Sequence, residues 1–289
     1  MRDSACTAFL RWVLPQLELR WPGFRKVRRQ VCRRVTRRLR DLGLDSHAAY
    51  RARLETDPAE WPILDACCHI TISRFFRDRS TFDLLRKEVL PDVAARAQGE
   101  GRDVHVWSAG CASGEEPYTL KIVWELDVAP SFPTVGARIL ASDIDEVMLA
   151  RARDGCFAPT SLRELPSAHA AAAFDQVGSR HCLRPKYRDG IAFLRQDLRC
   201  EMPAGPFDLV LCRYLAFTYF AAPLQQKVVA GLLERLRPGG CLVIGRHETL
   251  PGDVAGLAAH AAAPKVFLKI PIGERPARRS ATEAGGCLP

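Results

Sequence analysis

Hydrophobic and polar positions follow one period early in the chain and another later. Val27, Val31, Val35, Leu39 and Leu42 recur every three or four residues, which gathers them on one face of a helix. Gly43 predicts the end of that helix and Ser46 the N-cap of the next, while Pro58 and Pro62 punctuate the segment before a further one. From about residue 103 the pattern shortens. Residues 104–107 read as a strand, followed by a small-residue turn over 108–114 and a helix over 115–126. A second strand, 138–142, ends in Asp143 and leads into helix signals at Val147, Met148, Leu149 and Ala152. Further strands are expected at 191–194, 207–212, 241–245 and 266–270, with a helix over 223–236 closed by Pro238-Gly239-Gly240. Strands alternating with helices predict an α/β fold with a parallel, doubly wound sheet. Residues 155–190 interrupt the alternation as a small insert, and the segment from Gly273, rich in Pro, Arg, Ala and Gly, reads as a disordered tail.

Composition changes this picture little: 289 residues at 47% hydrophobic and 26% charged suit one large or two smaller globular domains. No apolar run approaches the roughly 18–20 residues of a membrane span. Arg11, Glu18 and Arg20 interrupt any signal-peptide core, so a cytoplasmic location is expected. Charge changes the picture more. The net +9 lies entirely in residues 1–55, which hold 14 basic and 5 acidic side chains. Arg25, Lys26, Arg28, Arg29, Arg33, Arg34, Arg37, Arg38 and Arg40 stand between the apolar positions of the first periodic helix, about 24–42. Such a helix suits an acidic partner; a solvated basic face and nucleic-acid phosphate are the competing readings, and interleaved stacking aromatics are lacking for the latter. Eleven cysteines without a C-x-x-C pair read as core thiols in a reducing compartment, and Cys67-Cys68-His69 has no matching pair to complete a zinc site.

Two segments carry candidate chemistry. The turn Ser108-Ala109-Gly110-Cys111-Ala112-Ser113-Gly114-Glu115-Glu116 lies where an open α/β sheet binds nucleotide-like ligands. It is neither G-x-G-x-x-G nor a P-loop, and it carries carboxylates where a phosphate site would carry lysine. A carboxylate there suits a cationic or amine-bearing ligand such as S-adenosylmethionine, although an ordinary Gly-rich turn with solvated glutamates fits this segment alone equally well. Asp143 at the end of the second strand suits both hydroxyls of a ribose; by itself it fits a helix N-cap as well. In this order the two describe an adenosyl-ligand site.

With those segments in place, the chain resembles the CheR family of chemotaxis receptor methyltransferases. The resemblance rests on T-I-S-R-F-F-R-D (71–78), V-W-S-A-G-C-A-S-G-E-E-P-Y (106–118), A-S-D-I-D (141–145), F-D-L-V-L-C-R (207–213), Y-F (219–220) and L-R-P-G-G-C-L-V-I-G-R-H-E (236–248), over roughly residues 15–270. It implies a Rossmann-like class I S-adenosylmethionine-dependent methyltransferase domain over 91–272. A small all-α N-terminal domain and linker would precede it over 1–90, a β insert would occupy about 155–190, and a tail would follow over 273–289. It further implies that Thr71, Ser73 and Arg77 reach the cofactor, with Arg77 near the methyl group and the incoming carboxylate. By the same resemblance Gly110 and Glu115 contact the cofactor, Glu115 at its methionine portion with Glu116 beside it, Asp143 holds the ribose, and Asp197 and Leu198 contact adenine where the family usually has Asn-Leu. Arg213 and Tyr214 stand where the family has Arg-Asn, in C-R-Y-L-A-F-T-Y-F rather than C-R-N-V-M-I-Y-F. The Asn is therefore Tyr214, and one extra residue precedes Tyr219-Phe220. Tyr219 is a candidate hydroxyl at the reaction centre, or a buried aromatic of that pair.

The implied reaction is methyl transfer to glutamate side chains of a chemoreceptor-like protein, docked through its acidic helices on the basic helix. A carboxylate is already ionised at neutral pH and needs no general base, so positioning is the main demand. The altered 213–220 segment keeps two alternatives open: a CheR-like enzyme acting on a small molecule or non-receptor protein, and a non-catalytic S-adenosylmethionine-sensing adaptor. The family's insert docks receptors, in some members through a glycine-bearing loop. Here that loop offers Gly178 alone, so dependence on a receptor tether is not expected.

Overall fold

The computed structural model describes residues 2–261 and 263–270; the expected tail over 273–289 lies outside the described residues. Five helices open the chain: α1 (Arg2–Val13), the single turn α2 (Trp21–Phe24), the basic helix α3 (Arg28–Asp41), α4 (His47–Thr56) and α5 (Glu60–Cys68). The basic helix starts later than the expected residue 24, because Phe24 belongs to a separate turn begun by Pro22. Val31, Val35 and Leu39 on α3 are buried, each contributing roughly 1.5–3 kcal/mol of hydrophobic stabilisation. Ser46 caps α4 by accepting from the Ala49 N–H at 3.1 Å. Arg34 and Arg38 point inward: Arg34 donates to the carbonyls of Cys67 and His69, and Arg38 forms a fork with buried Glu60 at 2.8 and 2.7 Å. Arg25, Lys26, Arg29, Arg33, Arg37 and Arg40 are exposed.

Helices α6 (Arg79–Leu84) and α7 (Leu90–Gly99) lead into β1 (Val104–Ala109), α8 (Glu115–Val123), β2 (Ala137–Asp143) and α9 (Glu146–Asp154). The insert follows as β3 (Cys156–Phe157), α10 (Ser167–Ala173), β4 (Phe174–Val177) and β5 (Arg180–Leu183), a three-stranded sheet with Gly178 in its hairpin turn. Then come β6 (Ile191–Arg195), β7 (Phe207–Leu211), the short α11 (Ala216–Tyr219), α12 (Ala222–Arg235), β8 (Leu236–Val243), β9 (Leu257–His260) and β10 (Ala263–Lys269). The main sheet runs β6-β2-β1-β7-β8-β10-β9, parallel as far as β8 and antiparallel in its last two pairings.

Alternation along the strands divides the core between the two faces of this sheet. Val106, Leu209, Leu211, Cys241 and Val243 face a cluster with Phe75, Phe76, Phe82 and α7. Trp107, Val210, Cys212, Leu242 and Ile244 face the N-terminal helices and α12. The N-terminal helices therefore share one core with the sheet. Chain order reverses beside β1, which has β2 on one side and β7 on the other, and the crevice at that switch point is where such folds hold ligands.

Four expectations need correction. Pro238-Gly239-Gly240 does not close the preceding helix but lies within β8, taken up where the β7 pairing shifts between Phe207 and Leu209; the strand then ends at Val243, before residue 245. The helix over 115–126 divides into α8 and a π turn, Trp124–Val128. A β9–β10 hairpin edge replaces the single last strand. Cys6–Cys32 and Cys156–Cys182 are disulfides rather than free thiols. Each pair is 26 residues apart in sequence, so only the packing of α1 on α3 and the opposed positions on β3 and β5 bring the sulfurs together. No helix among the described residues is long and apolar enough to cross a membrane.

Candidate functional site

The turn after β1 is shaped by two glycines. Gly110 has φ +82°, and a Cβ there would lie 2.6 Å from Leu215 Cδ2; Gly114 has φ +90°, and a Cβ there would lie 2.9 Å from the Ala152 Cβ. The N–H groups of Gly110 and Cys111 donate to the Ser142 carbonyl at 2.8 and 3.0 Å, fastening the turn to the end of β2. Beyond Gly114, α8 starts with Glu115 and Glu116. Glu115 is buried and accepts from the hydroxyls of Ser113 at 2.8 Å and Ser161 at 3.3 Å. Glu116 instead lines the cleft and accepts from Ser108 Oγ and from Arg213, each at 2.8 Å. The structure thus turns Glu115, the expected ligand contact, away from the cleft and presents its neighbour. Successive helix positions point about 100° apart, so one step in register decides which carboxylate faces the ligand.

Asp143 lines the cleft from the end of β2. Its Oδ2 accepts from the Ala112 N–H at 2.8 Å and its Oδ1 from the Asp145 N–H at 2.9 Å, leaving each oxygen a further lone pair. Burial pushes its carboxyl above the usual value against those two hydrogen bonds. Gln196, Asp197 and Leu198, after β6, line the same cleft. The opposite wall is the segment from α5 to α6, with Thr71, Ser73, Arg74 and Arg77.

Arg213 is the buried centre of the site. Its side chain is 2% exposed and bridges Asp78 and Glu116 at 2.8 Å each, while also donating to the Arg77 carbonyl at 2.7 Å. Asp78 further accepts from the Tyr214 hydroxyl. Tyr214 takes a left-handed conformation, φ 57°, and its N–H donates to Glu248 at 2.8 Å. Glu248 also accepts from the Gly245 N–H and from the Thr218 hydroxyl, each at 2.6 Å, and burial raises its carboxyl. The guanidinium of Arg77 lies 3.8 Å from the centre of the Tyr214 ring and donates to the Ile72 carbonyl. Four arginines line the cleft. Arg74 pairs with Glu164, Arg199 with Asp65 and Asp197, and Arg213 with Asp78 and Glu116; Arg77 alone has no carboxylate partner among the described residues.

Tyr219 lines the cleft with its ring 5.0 Å from that of Phe24. Its carbonyl accepts from the Arg20 N–H at 2.8 Å, and the Arg20 side chain donates to the carbonyls of Phe217 and Thr218, so the N-terminal segment clamps this loop. Burial pushes the Tyr219 phenol up to about 12, and burial with the Asp78 hydrogen bond does the same to Tyr214.

The cleft thus brings together Thr71, Ser73, Arg77, Gly110, Asp143, Asp197, Leu198, Arg213, Tyr214 and Tyr219, but not Glu115. Sequence reasoning missed the pairing of Glu116 and Asp78 with Arg213, and missed Asp65, His69, Leu19 and Phe24 as lining residues. Asp78 was available as the acid after Arg77 in S-R-F-F-R-D; the N-terminal residues carry no local signal. A polar, adenosine-like cofactor fits this lining. Arg213 Nε and Gln196 Oε1 are buried, face no partner among the described residues, and belong to residues lining the cleft. They supply a donor and an acceptor in addition to the spare lone pairs of Asp143.

Residues 71–266 match the family described as CheR methyltransferase, SAM binding domain, and residues 26–64 match CheR methyltransferase, all-alpha domain. The chain is 38% identical to the chemotaxis protein methyltransferase of Listeria monocytogenes over 65% of this chain and 70% of that protein. It is 31% identical to a probable chemotaxis protein methyltransferase of Rhizobium etli over 77% of this chain and 85% of that one. Among solved structures, the N-methyltransferase NodS of Bradyrhizobium japonicum with S-adenosyl-L-homocysteine aligns over 60% of this chain and 62% of its own at 17% identity, with a TM-score of 0.34.

Proposed function

The chain belongs to the CheR methyltransferase family and is an S-adenosylmethionine-dependent methyltransferase, and from that premise we propose that it methylates carboxylates, namely glutamate side chains of chemoreceptor-like proteins. When bound, the cofactor supplies a methyl group on an electrophilic sulfonium. Asp143 holds the ribose through its spare lone pairs, Asp197 and Leu198 meet the adenine, and Glu116, Arg213, Thr71 and Ser73 line the remainder. Arg77 carries the acceptor reading. It is the lining arginine with no carboxylate partner among the described residues, and the Ile72 carbonyl and the Tyr214 ring hold it in place. An incoming glutamate would complete its hydrogen bonding and be oriented for in-line attack. Neither Tyr214 nor Tyr219 acts as a base at neutral pH with its phenol near 12, and an ionised carboxylate needs none.

Purified chain, labelled S-adenosylmethionine and purified chemoreceptor cytoplasmic fragments test this reading. The expected product is a base-labile methyl ester on a receptor glutamate. Arg77→Gln should lower transfer about tenfold or more by removing a charge-assisted contact. A base-stable product, or transfer that does not need a carboxylate, would sink it. Tyr214 in place of the family's Asn, with the one extra residue before Tyr219-Phe220, favours a second reading, a non-receptor or small-molecule acceptor, because the Tyr214 ring lies against the Arg77 guanidinium and its hydroxyl donates to Asp78. Ester formation on receptor fragments would eliminate that alternative.

A further inference from the structure

We propose that Arg199, anchored on Asp65 of the N-terminal domain, is a positioning residue that orients Asp197 to accept from the 6-amino group of the cofactor's adenine. The proposal rests on the reading of Asp197 and Leu198 as the adenine-contacting pair.

One guanidinium holds two carboxylates. Arg199 donates from its two terminal nitrogens to Asp65 at 2.9 and 2.6 Å, and from Nε and one terminal nitrogen to Asp197 at 3.0 and 2.9 Å. The Arg199 N–H donates to the same Asp197 Oδ1 at 3.0 Å. Asp65 lies on α5 and is 134 residues from Arg199, so the clamp crosses from the N-terminal helices to the sheet. It is sheltered, with side chains 17%, 14% and 26% exposed for Arg199, Asp65 and Asp197. His69 supports Asp65 from the end of α5 at 3.3 Å. Burial pushes the Asp65 carboxyl up, but the hydrogen bonds from His69 and Arg199 outweigh it and hold the carboxyl well below the usual range. The anchor therefore stays charged through the neutral range.

A carboxylate has no donor, so at the adenine edge it reads an amino group and nothing else. An unpaired carboxylate in that place would be costly to desolvate and free to rotate. Arg199 offsets its charge and fixes its plane. The Arg199 N–H and Nε–H meet Asp197 Oδ1; Oδ2 accepts from a terminal nitrogen at 2.9 Å, shares the same Nε hydrogen at 3.1 Å, and otherwise meets only the Cys200 sulfur, at 3.9 Å. An amino group would replace that weak contact.

Isothermal titration of the full-length chain with S-adenosylhomocysteine, and with its analogue bearing hydrogen in place of the 6-amino group, reads the contact directly. The wild type should bind the analogue about tenfold or more weakly, as expected for a hydrogen bond to a charged acceptor. In Arg199→Gln and Asp65→Asn that ratio should fall to about threefold or less, a change that a purely structural role would not produce. A ratio near one in the wild type would show that Asp197 does not read the amino group, which defeats the adenine reading itself. A wild type that discriminates, with variants that discriminate equally, would overturn the clamp alone. Should Arg199→Gln not fold, Asp65→Asn, which keeps the side-chain shape on α5, carries the same test.

Discussion

Replacing Arg213 with methionine isolates the charge at the centre of the site. The substitution keeps an unbranched side chain against the Phe82 ring, where the guanidinium carbon lies 5.2 Å from the ring centre. It removes two ion pairs at 2.8 Å from a side chain only 2% exposed, leaving Asp78 and Glu116 facing each other's charge at 15% and 14% exposure. Removing one partner of a buried pair costs about 3–5 kcal/mol. In a protein of this size that corresponds to a fall in Tm of roughly 6–20 °C. The sign of the pH dependence follows from Asp78. In the wild type burial pushes its carboxyl up, but the Tyr214 hydroxyl and Arg213 outweigh burial and hold it below the usual value. Its stabilisation is therefore present above the unfolded pKa of about 3.9 and lost as pH falls through the folded value. Without Arg213 the desolvated Asp78 carboxylate should titrate higher, so the variant's deficit is largest at neutral pH and shrinks as Asp78 takes up a proton towards about pH 5. Urea unfolding followed by tryptophan fluorescence at pH 7.5 and pH 5 measures both. A loss under about 1 kcal/mol, or one of equal size at the two pH values, would refute the assignment of Arg213 as the counter-charge.

Gly110→Ala should cost about 1–3 kcal/mol and weaken S-adenosylhomocysteine binding at least about tenfold, because φ +82° strains any residue with a Cβ and that Cβ, 2.6 Å from Leu215 Cδ2, displaces the Leu215 side chain lining the cleft; calorimetry and a thermal melt check both. Asp143→Asn should cost about 1–3 kcal/mol, because its amide nitrogen must face either the Ala112 or the Asp145 N–H, and should weaken the same ligand about tenfold or more, since the amide offers one acceptor where the carboxylate has two; unchanged binding would remove Asp143 from the ribose. Arg33→Glu with Arg37→Glu, both on the exposed side of α3, should raise the acceptor KM about tenfold at low salt and leave S-adenosylhomocysteine affinity unaltered, with the difference narrowing as salt rises.

What the sequence could disclose was set by range. The short apolar runs at 104–107 and 207–212 announce strands, since a run bounded by polar and turn residues is a property of neighbours, but which of their residues faces which core emerges only from packing. Asp143 was legible because the end of a strand fixes where its side chain stands. The choice between Glu115 and Glu116 was not legible, since it depends on the register with which α8 leaves Gly114. Nor were the disulfides, or the Asp65–Arg199–Asp197 clamp, which arise where distant elements meet and leave no periodic trace. The helix over 24–42 was placed on its apolar positions, and packing then divided its arginines in a way composition could not show.

That division bears on the acceptor. Arg34 and Arg38 serve the fold, one holding the carbonyls of Cys67 and His69, the other neutralising Glu60, which is 2% exposed and also takes the Tyr50 hydroxyl at 2.7 Å. The charge left for a partner is the exposed row from Arg25 to Arg40. Through Arg34 this helix is fastened to the start of the segment that walls the cleft and carries Arg77. An acidic macromolecule held by the exposed row would be gripped by the same rigid unit that positions Arg77, so docking and presentation of a carboxylate would be mechanically one event. A small-molecule acceptor would gain only diffusional steering from that row, an effect that salt screens over about 10 Å. The proposed protein acceptor uses both the placement and the sign of the charge, and so accounts for more of the helix than its competitor does.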